Sequence, residues 1–295
     1  MASPDLVTLT AGKLVLELNP SIGGSISAFE RVDENGPWSV LRERSSELEN
    51  VLEAASFPLV PYVNRIRSGR FVFRGREVVL EPNMAGDPSP LHGQGWLHPW
   101  DIVEHGSAHA VLHFNHPAGE WPWTYQARQE FSLDERGLSA RLSCRNLSDD
   151  PMPCGLGQHP YFSCGAATQI DTTVQSAWTI DEHVLPVEQV AATGKFDLRG
   201  RSVCGQGLDH GFGGWGGSAR LTDPDWSYEL ELSSPNAHFF QLYSPRNGGI
   251  FVAEPVTHAN AALNEPEERW VKLGLEVLEP GEVMHLDMRI DVTPG

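Results

Sequence analysis

Two histidines, a glutamate, an aspartate, an arginine and an asparagine stand in settings that suit proton transfer and hydroxyl binding. His159 sits in Gly157-Gln158-His159-Pro160-Tyr161-Phe162, between a glycine-bearing approach and two aromatic rings. With an unperturbed pKa of about 6.5, a histidine accepts or donates a proton near neutrality. A buried histidine satisfied by a backbone carbonyl has the same local sequence. Glu254 closes the apolar run Ile250-Phe251-Val252-Ala253, and Pro255 behind it is expected to stop the strand. A carboxylate at the end of such a run is partly desolvated, which raises its pKa and makes it a better base. A surface glutamate at a strand end is the simpler alternative.

His92 lies in the glycine-bearing stretch Leu91-His92-Gly93-Gln94-Gly95-Trp96, where the backbone can approach a ligand closely. Asp209 precedes Gly211-Phe212-Gly213-Gly214-Trp215-Gly216-Gly217, a mobile or tightly turned loop that can present it to hydroxyl groups. Asn64 and Arg65 follow Pro61-Tyr62-Val63; the planar guanidinium suits hydroxyl oxygens or a strand-edge ion pair. Trp96, Trp100, Trp121 and Trp123 offer faces for stacking, with core packing expected of at least two. Other chemistries lack their signatures. There is no HExxH, no paired His/Cys spacing for zinc, no GxSxG elbow, and no Gly-Lys-Ser/Thr phosphate loop.

The elements that must position these residues read as strands. Leu14, Leu16 and Leu18 alternate with their neighbours. So do Ala140, Leu142 and Cys144; Tyr228, Leu230 and Leu232; and Leu286, Met288, Ile290 and Val292. Period two marks a strand with one buried face. Residues 70–80, RFVFRGREVVL, read as a hairpin around Gly75. The spacing predicts one helix: Ser46 and Glu49 form a capping box, Leu48, Val51, Leu52 and Ala55 keep helical period, and Pro58 and Pro61 end it. Alternating β/α units are absent. The expected fold is all-β, a large antiparallel β-sandwich with one or two short helices, formed by a single domain over residues 1–295.

Composition narrows the partners. The formal net charge is −18, and no Lys/Arg-rich run occurs, which disfavours nucleic acid and acidic membranes. No apolar stretch approaches the ~20 residues of a membrane span, and the N-terminus lacks a secretory pattern. Cys144, Cys154, Cys164 and Cys204 have no CxxC spacing, so all four are expected as reduced thiols in a cytoplasmic protein. A monomer or homodimer is expected.

The ordered set Asn64-Arg65-Ile66, Leu91-His92-Gly93, His159-Pro160-Tyr161-Phe162, Leu208-Asp209-His210-Gly211-Phe212 and Ala253-Glu254-Pro255 resembles the aldose 1-epimerase (galactose mutarotase) family. The flanks agree in Gly69–Gly75, Ala259–Asn264 and Leu278-Glu279-Pro280-Gly281-Glu282. The resemblance implies a large β-sandwich that interconverts the anomers of a free aldose. It implies Glu254 as general base, His159 as general acid and His92 as a second active-site histidine. It places Asn64, Arg65 and Asp209 on sugar hydroxyls, and it requires neither metal nor cofactor. The chain departs from the usual pattern at Gln94, Pro160 and Pro255, as a divergent bacterial branch would. A sugar-binding protein without turnover, a carbohydrate-cleaving enzyme and a sugar-6-phosphate mutarotase are the rival expectations.

Overall fold

The computed structural model describes residues 6–34, 36–43 and 48–294. Two large antiparallel sheets dominate it. The first has nine strands in the order Arg201–Ser202, Gln169–Thr172, Ser218–Thr222, Tyr228–Ser233, Val283–Pro294, Gly137–Asn146, Tyr125–Asp134, His109–His116 and Asp101–His105. The second runs Pro186–Ala191, Ser176–Ile180, Leu208–Gly213, Phe239–Ser244, Gly249–Val256, Gly157–Gln158 and Pro58–Leu59, and Tyr161–Cys164 also pairs with Gly249–Val256. A four-stranded meander, Val7–Ala11, Leu14–Asn19, Ser25–Asp33 and Gly36–Ser39, packs against the first sheet. The fold is the expected β-sandwich.

The predicted alternations are all strands, and the apolar member of each pair is buried. Residues 70–80 form the expected hairpin, Arg70–Phe73 against Arg76–Val79. Its two turn residues, Arg74 and Gly75, both have positive φ, at 49° and 77°. That geometry follows the twist of the flanking strands, and glycine adopts it at no steric cost.

Three expectations are corrected. The helix is reduced to a single 3-10 turn, Val51–Glu53, whose capping box is Asn50 with Glu53. Ser46, the expected cap, lies outside the described residues. The next residues are claimed by sheet bonds before a second turn can close: Ala55 N–H donates to the Ile26 carbonyl, and the Ala55 carbonyl accepts from Tyr161. Among the described residues the one α-helix is Glu267–Trp270, at a place where the spacing predicts none.

Glu254 does not end its strand. The ladder continues through Pro255, opposite Phe240, to Val256. Only alternate residues point an N–H toward a given neighbour, so one proline removes one bond and leaves the register intact. Glu254 is therefore an interior residue of a central strand.

The cysteines are not all reduced thiols. Cys164 and Cys204 form a disulfide with their Cα atoms 5.6 Å apart, while Cys144 and Cys154 are free and buried. The paired residues are 40 positions apart, so no local spacing announces them.

Candidate active site

From Phe251 to Val256 every residue is buried, because this strand is covered on both faces. Val252, Glu254 and Val256 share one face, and Glu254 is the one charged side chain among them. Its Oε2 is buried with no hydrogen-bond partner among the described residues. Burial raises its pKa well above the ordinary range; the charge of Asp209 adds to that and Arg65 opposes it.

His159 reaches the same place from the short strand Gly157–Gln158. Its N–H donates to the Phe57 carbonyl, and its ring stacks on Phe57 with centroids 4.4 Å apart. Tyr161 leans against the same ring at 4.7 Å and also meets Phe57, at 6.2 Å. These contacts bring Nε2 to 3.5 Å from Glu254 Oε1. Nδ1 is buried without a hydrogen-bond partner among the described residues. Desolvation, with Arg42 adding to it, lowers the His159 pKa to about 3. Burial thus favours the neutral imidazole.

His92 meets His159 edge-on at 5.5 Å. Its φ of 59° is left-handed and is held by a reciprocal pair of bonds with Asn64. The His92 N–H donates to the Asn64 carbonyl at 3.0 Å, and the Asn64 N–H donates to His92 Nδ1 at 3.1 Å. Nδ1 is thus an acceptor, and the proton sits on Nε2, which has no protein partner among the described residues. Gly93 serves the chain and not a ligand: a Cβ there would lie 2.1 Å from the Val60 carbonyl oxygen.

Arg65 makes the ion pair that its strand-edge setting allows. Its Nε donates to Asp87 Oδ2 at 2.8 Å, an ion pair about one-tenth exposed. The rest of its guanidinium has no partner among the described residues, and the side chain lines the cavity. The Arg65 N–H is held by Asn260 Oδ1. Asp209 is not presented by a loop. It lies on the strand Leu208–Gly213, fixed by the Gln241 amide at 2.6 Å. Burial raises its pKa, opposed by Arg65 and Gln241. The neighbouring His210 turns away and bonds the Trp178 carbonyl through Nδ1.

Glu254, His159, His92, Asn64, Arg65 and Asp209 therefore line one cavity of about 290 Å³. Its remaining wall is Leu52, Phe57, Met84, Leu91, Trp96, Tyr161 and Tyr243. All four tryptophans of the 96–123 stretch are buried, and only Trp96 reaches this wall. A larger groove of about 760 Å³ lies around Trp270 and His285, but no hydrogen bond or ion pair joins its histidines to its glutamates. Among the described residues no group of three or more His, Cys, Asp or Glu side chains is arranged to hold a metal ion.

Sequence reasoning missed Gln241, Asp87, Asn260 and Tyr243. Gln241 carried a usable signal, being an amide inside the apolar strand Phe239–Ser244, much as Glu254 is a carboxylate inside its own. Asp87 and Asn260 lie in loops, where polar residues are ordinary.

The arrangement can move one proton onto a ligand atom while removing another, between a histidine and a carboxyl group in a cavity lined by hydrogen-bonding side chains. The family model "Aldose 1-epimerase" matches residues 5–291. The uncharacterized protein YphB of Escherichia coli (strain K12) is 32% identical over 298 residues, covering 97% of this chain and 98% of YphB. A crystal structure of a candidate aldose 1-epimerase from E. coli K12 shares 30% identity with a TM-score of 0.88, over 98% of this chain and 99% of that one. A galactose mutarotase-like protein from Clostridium acetobutylicum has the same fold at 18% identity, with a TM-score of 0.85 over 98% and 95% of the two chains.

Proposed function

The chain belongs to the aldose 1-epimerase family, and we propose that it interconverts the α and β anomers of a free aldose. The observation that carries this reading is the approach of His159 Nε2 to Glu254 Oε1, 3.5 Å, in a cavity rimmed by hydrogen-bonding groups.

Glu254 and His159 together hold one exchangeable proton. In the empty site burial favours its place on the carboxyl. The hydroxyls of a bound sugar reach Oε2, which has no protein partner, and hydrogen bonds to the charged form favour the carboxylate. The proton then passes to His159. Glu254 takes the proton of the anomeric hydroxyl while His159 protonates the ring oxygen. The C1–O5 bond breaks and C1 becomes the aldehyde carbon. Rotation about C1–C2 presents the other carbonyl face. His159 then removes the O5 proton, Glu254 returns a proton to O1, and the opposite anomer closes. The pair ends the cycle as it began it.

His92 donates from Nε2 to the ring oxygen or an adjacent hydroxyl. Arg65, Asn64 and Asp209 hold the remaining hydroxyls, and Phe57, Trp96 and Tyr161 exclude water from the reacting atoms.

The test is polarimetry or NMR on freshly dissolved α-D-glucose and α-D-galactose. Wild type is expected to accelerate equilibration of at least one of them over the spontaneous rate. Folded Glu254→Gln and His159→Asn proteins are expected to lose the acceleration. A wild type with no effect on any aldose, phosphorylated or not, overturns the reading.

A further inference from the structure

The disulfide flanks this site at matched distances. Cys164 lies five residues after His159, and Cys204 five residues before Asp209. The strands involved form a group of four. Tyr161–Cys164 pairs with Gly249–Val256, which pairs with Phe239–Ser244, which pairs with Leu208–Gly213. The two inner strands carry Glu254, Gln241 and Tyr243, and they are joined by the turn at Pro245–Gly248.

The bridge crosses the group at that turn. Cys164 is the ladder partner of Gly249. The Gly249 N–H donates to Cys204 Sγ at 3.3 Å, and a Cβ on Gly248 would lie 3.2 Å from the same sulfur. The disulfide therefore ties the outer strand Tyr161–Cys164, at the hairpin tip, to the 203–206 loop that leads into the other outer strand Leu208–Gly213, bypassing the inner two. Beyond it, the 203–206 loop is held to the inner strands by Ser244, whose Oγ donates to the Val203 carbonyl and accepts from the Gln206 N–H. Both cysteines are half-buried, within reach of a small dithiol.

We propose that the Cys164–Cys204 bridge is a positioning element of the site, and that a dithiol reductant lowers the activity by opening it. This rests on the cavity being catalytic. In the redox step, two thiols of the reductant are oxidised to a disulfide. Their two electrons and two protons convert the bridge to two cysteine thiols. The Glu254–His159 approach survives, because their segments stay joined through the ladder of Tyr161–Cys164 with Gly249–Val256. The Asp209 side loses its covalent hold, so hydroxyl binding is the part that weakens.

The full chain is assayed oxidised and after dithiothreitol, beside Cys164→Ser and Cys204→Ser, well below the unfolding temperature. The oxidised protein, once denatured, is expected to show two titratable thiols, Cys144 and Cys154, and four after reduction. Reduction is expected to lower kcat/KM about tenfold, mostly through KM, since displacements of the order of an ångström weigh heavily on a positioned ligand. Each serine variant should match the reduced wild type and ignore dithiothreitol.

Equal KM and kcat in the oxidised and reduced folded protein overturns the proposal, as do four free thiols under oxidising conditions. Hydrogen exchange over 157–164 and 208–213 reads the clamp independently of turnover. If the oxidised protein does not catalyse anomer exchange, the functional reading fails by itself; unchanged exchange on reduction then refutes the clamp as well, and faster exchange leaves a structural bridge only.

Discussion

Gln241 and Glu254 stand opposite each other across one antiparallel strand pair, and Gln241 bonds Asp209 through its amide at 2.6 Å. A neutral side chain thus sits between two acids, the buried Glu254 and the half-buried Asp209. It donates to Asp209 Oδ1, while Arg65, paired with Asp87, places its positive charge near both Asp209 and Glu254. Burial nevertheless holds the Glu254 pKa well above the ordinary range, which suits the general-base role proposed for it.

Replacing either member of the proton-transfer pair should remove most of the catalysis. Glu254→Gln and His159→Asn are each expected to reduce kcat by about 10²–10⁴, the usual range for general acid–base groups. Because the two share one proton, the double variant should be little worse than either single one. Strictly multiplicative losses in single-turnover measurements would contradict the shared-proton scheme.

Removal of the Gln241 amide should act on binding. Gln241→Leu removes the donor of Asp209 Oδ1, and a hydrogen bond to a charged group contributes about 1.5–3 kcal/mol. KM is expected to rise about tenfold or more, with kcat much less affected. A steady-state comparison in which kcat alone falls would assign Gln241 to the chemistry instead.

The pH–rate profile should extend unusually far into acid. The working form carries one proton on the Glu254–His159 pair, and a second adds only when His159 titrates, which burial holds at about 3. An unperturbed histidine would lose activity below about pH 6.5. kcat/KM, which reports the free protein, should stay flat through pH 6.5 after brief acid jumps and fall only well below it.

Fold stability should show the opposite sensitivity. His258 is buried, accepts from the Val63 N–H at Nε2 and contacts the Ala259 carbonyl through Nδ1; desolvation lowers its pKa to about 4. The unfolded chain therefore binds more protons than the folded one between about 4 and the ordinary value of about 6.5. The stability His258 contributes is present above that upper value and lost as pH falls through the window, at up to about 1.4 kcal/mol per pH unit. His159 acts in the same direction, while Glu254, whose folded pKa is raised, opposes it. Urea denaturation at pH 7 and pH 5 should show the loss, and it should be smaller in His258→Gln. An unchanged slope in that variant would remove His258 from the account.

Much of this protein was legible in its residues. Strand positions such as Leu286, Met288 and Ile290 were readable because a half-buried strand writes its exposure at period two into adjacent residues. Glu254 was readable because a lone charge in a run of apolar residues has few explanations. His159, His92, Arg65, Asn64 and Asp209 were readable as types able to act on hydroxyls, and the structure gathers all of them in one cavity. Tertiary structure alone decided the rest, because each remaining feature depends on a partner far away in the chain. Asn64 sets the tautomer of His92 across 28 residues, Gln241 reaches Asp209 across 32, and Asn260 holds the Arg65 backbone across 195. The expected helix near Val51 yielded to sheet bonds from Ile26 and Tyr161, and Cys164 found Cys204 only at the tip of a hairpin between them. Burial also set the protonation of the pair: residue type supplies the ionisable group, and the packed environment shifts its pKa.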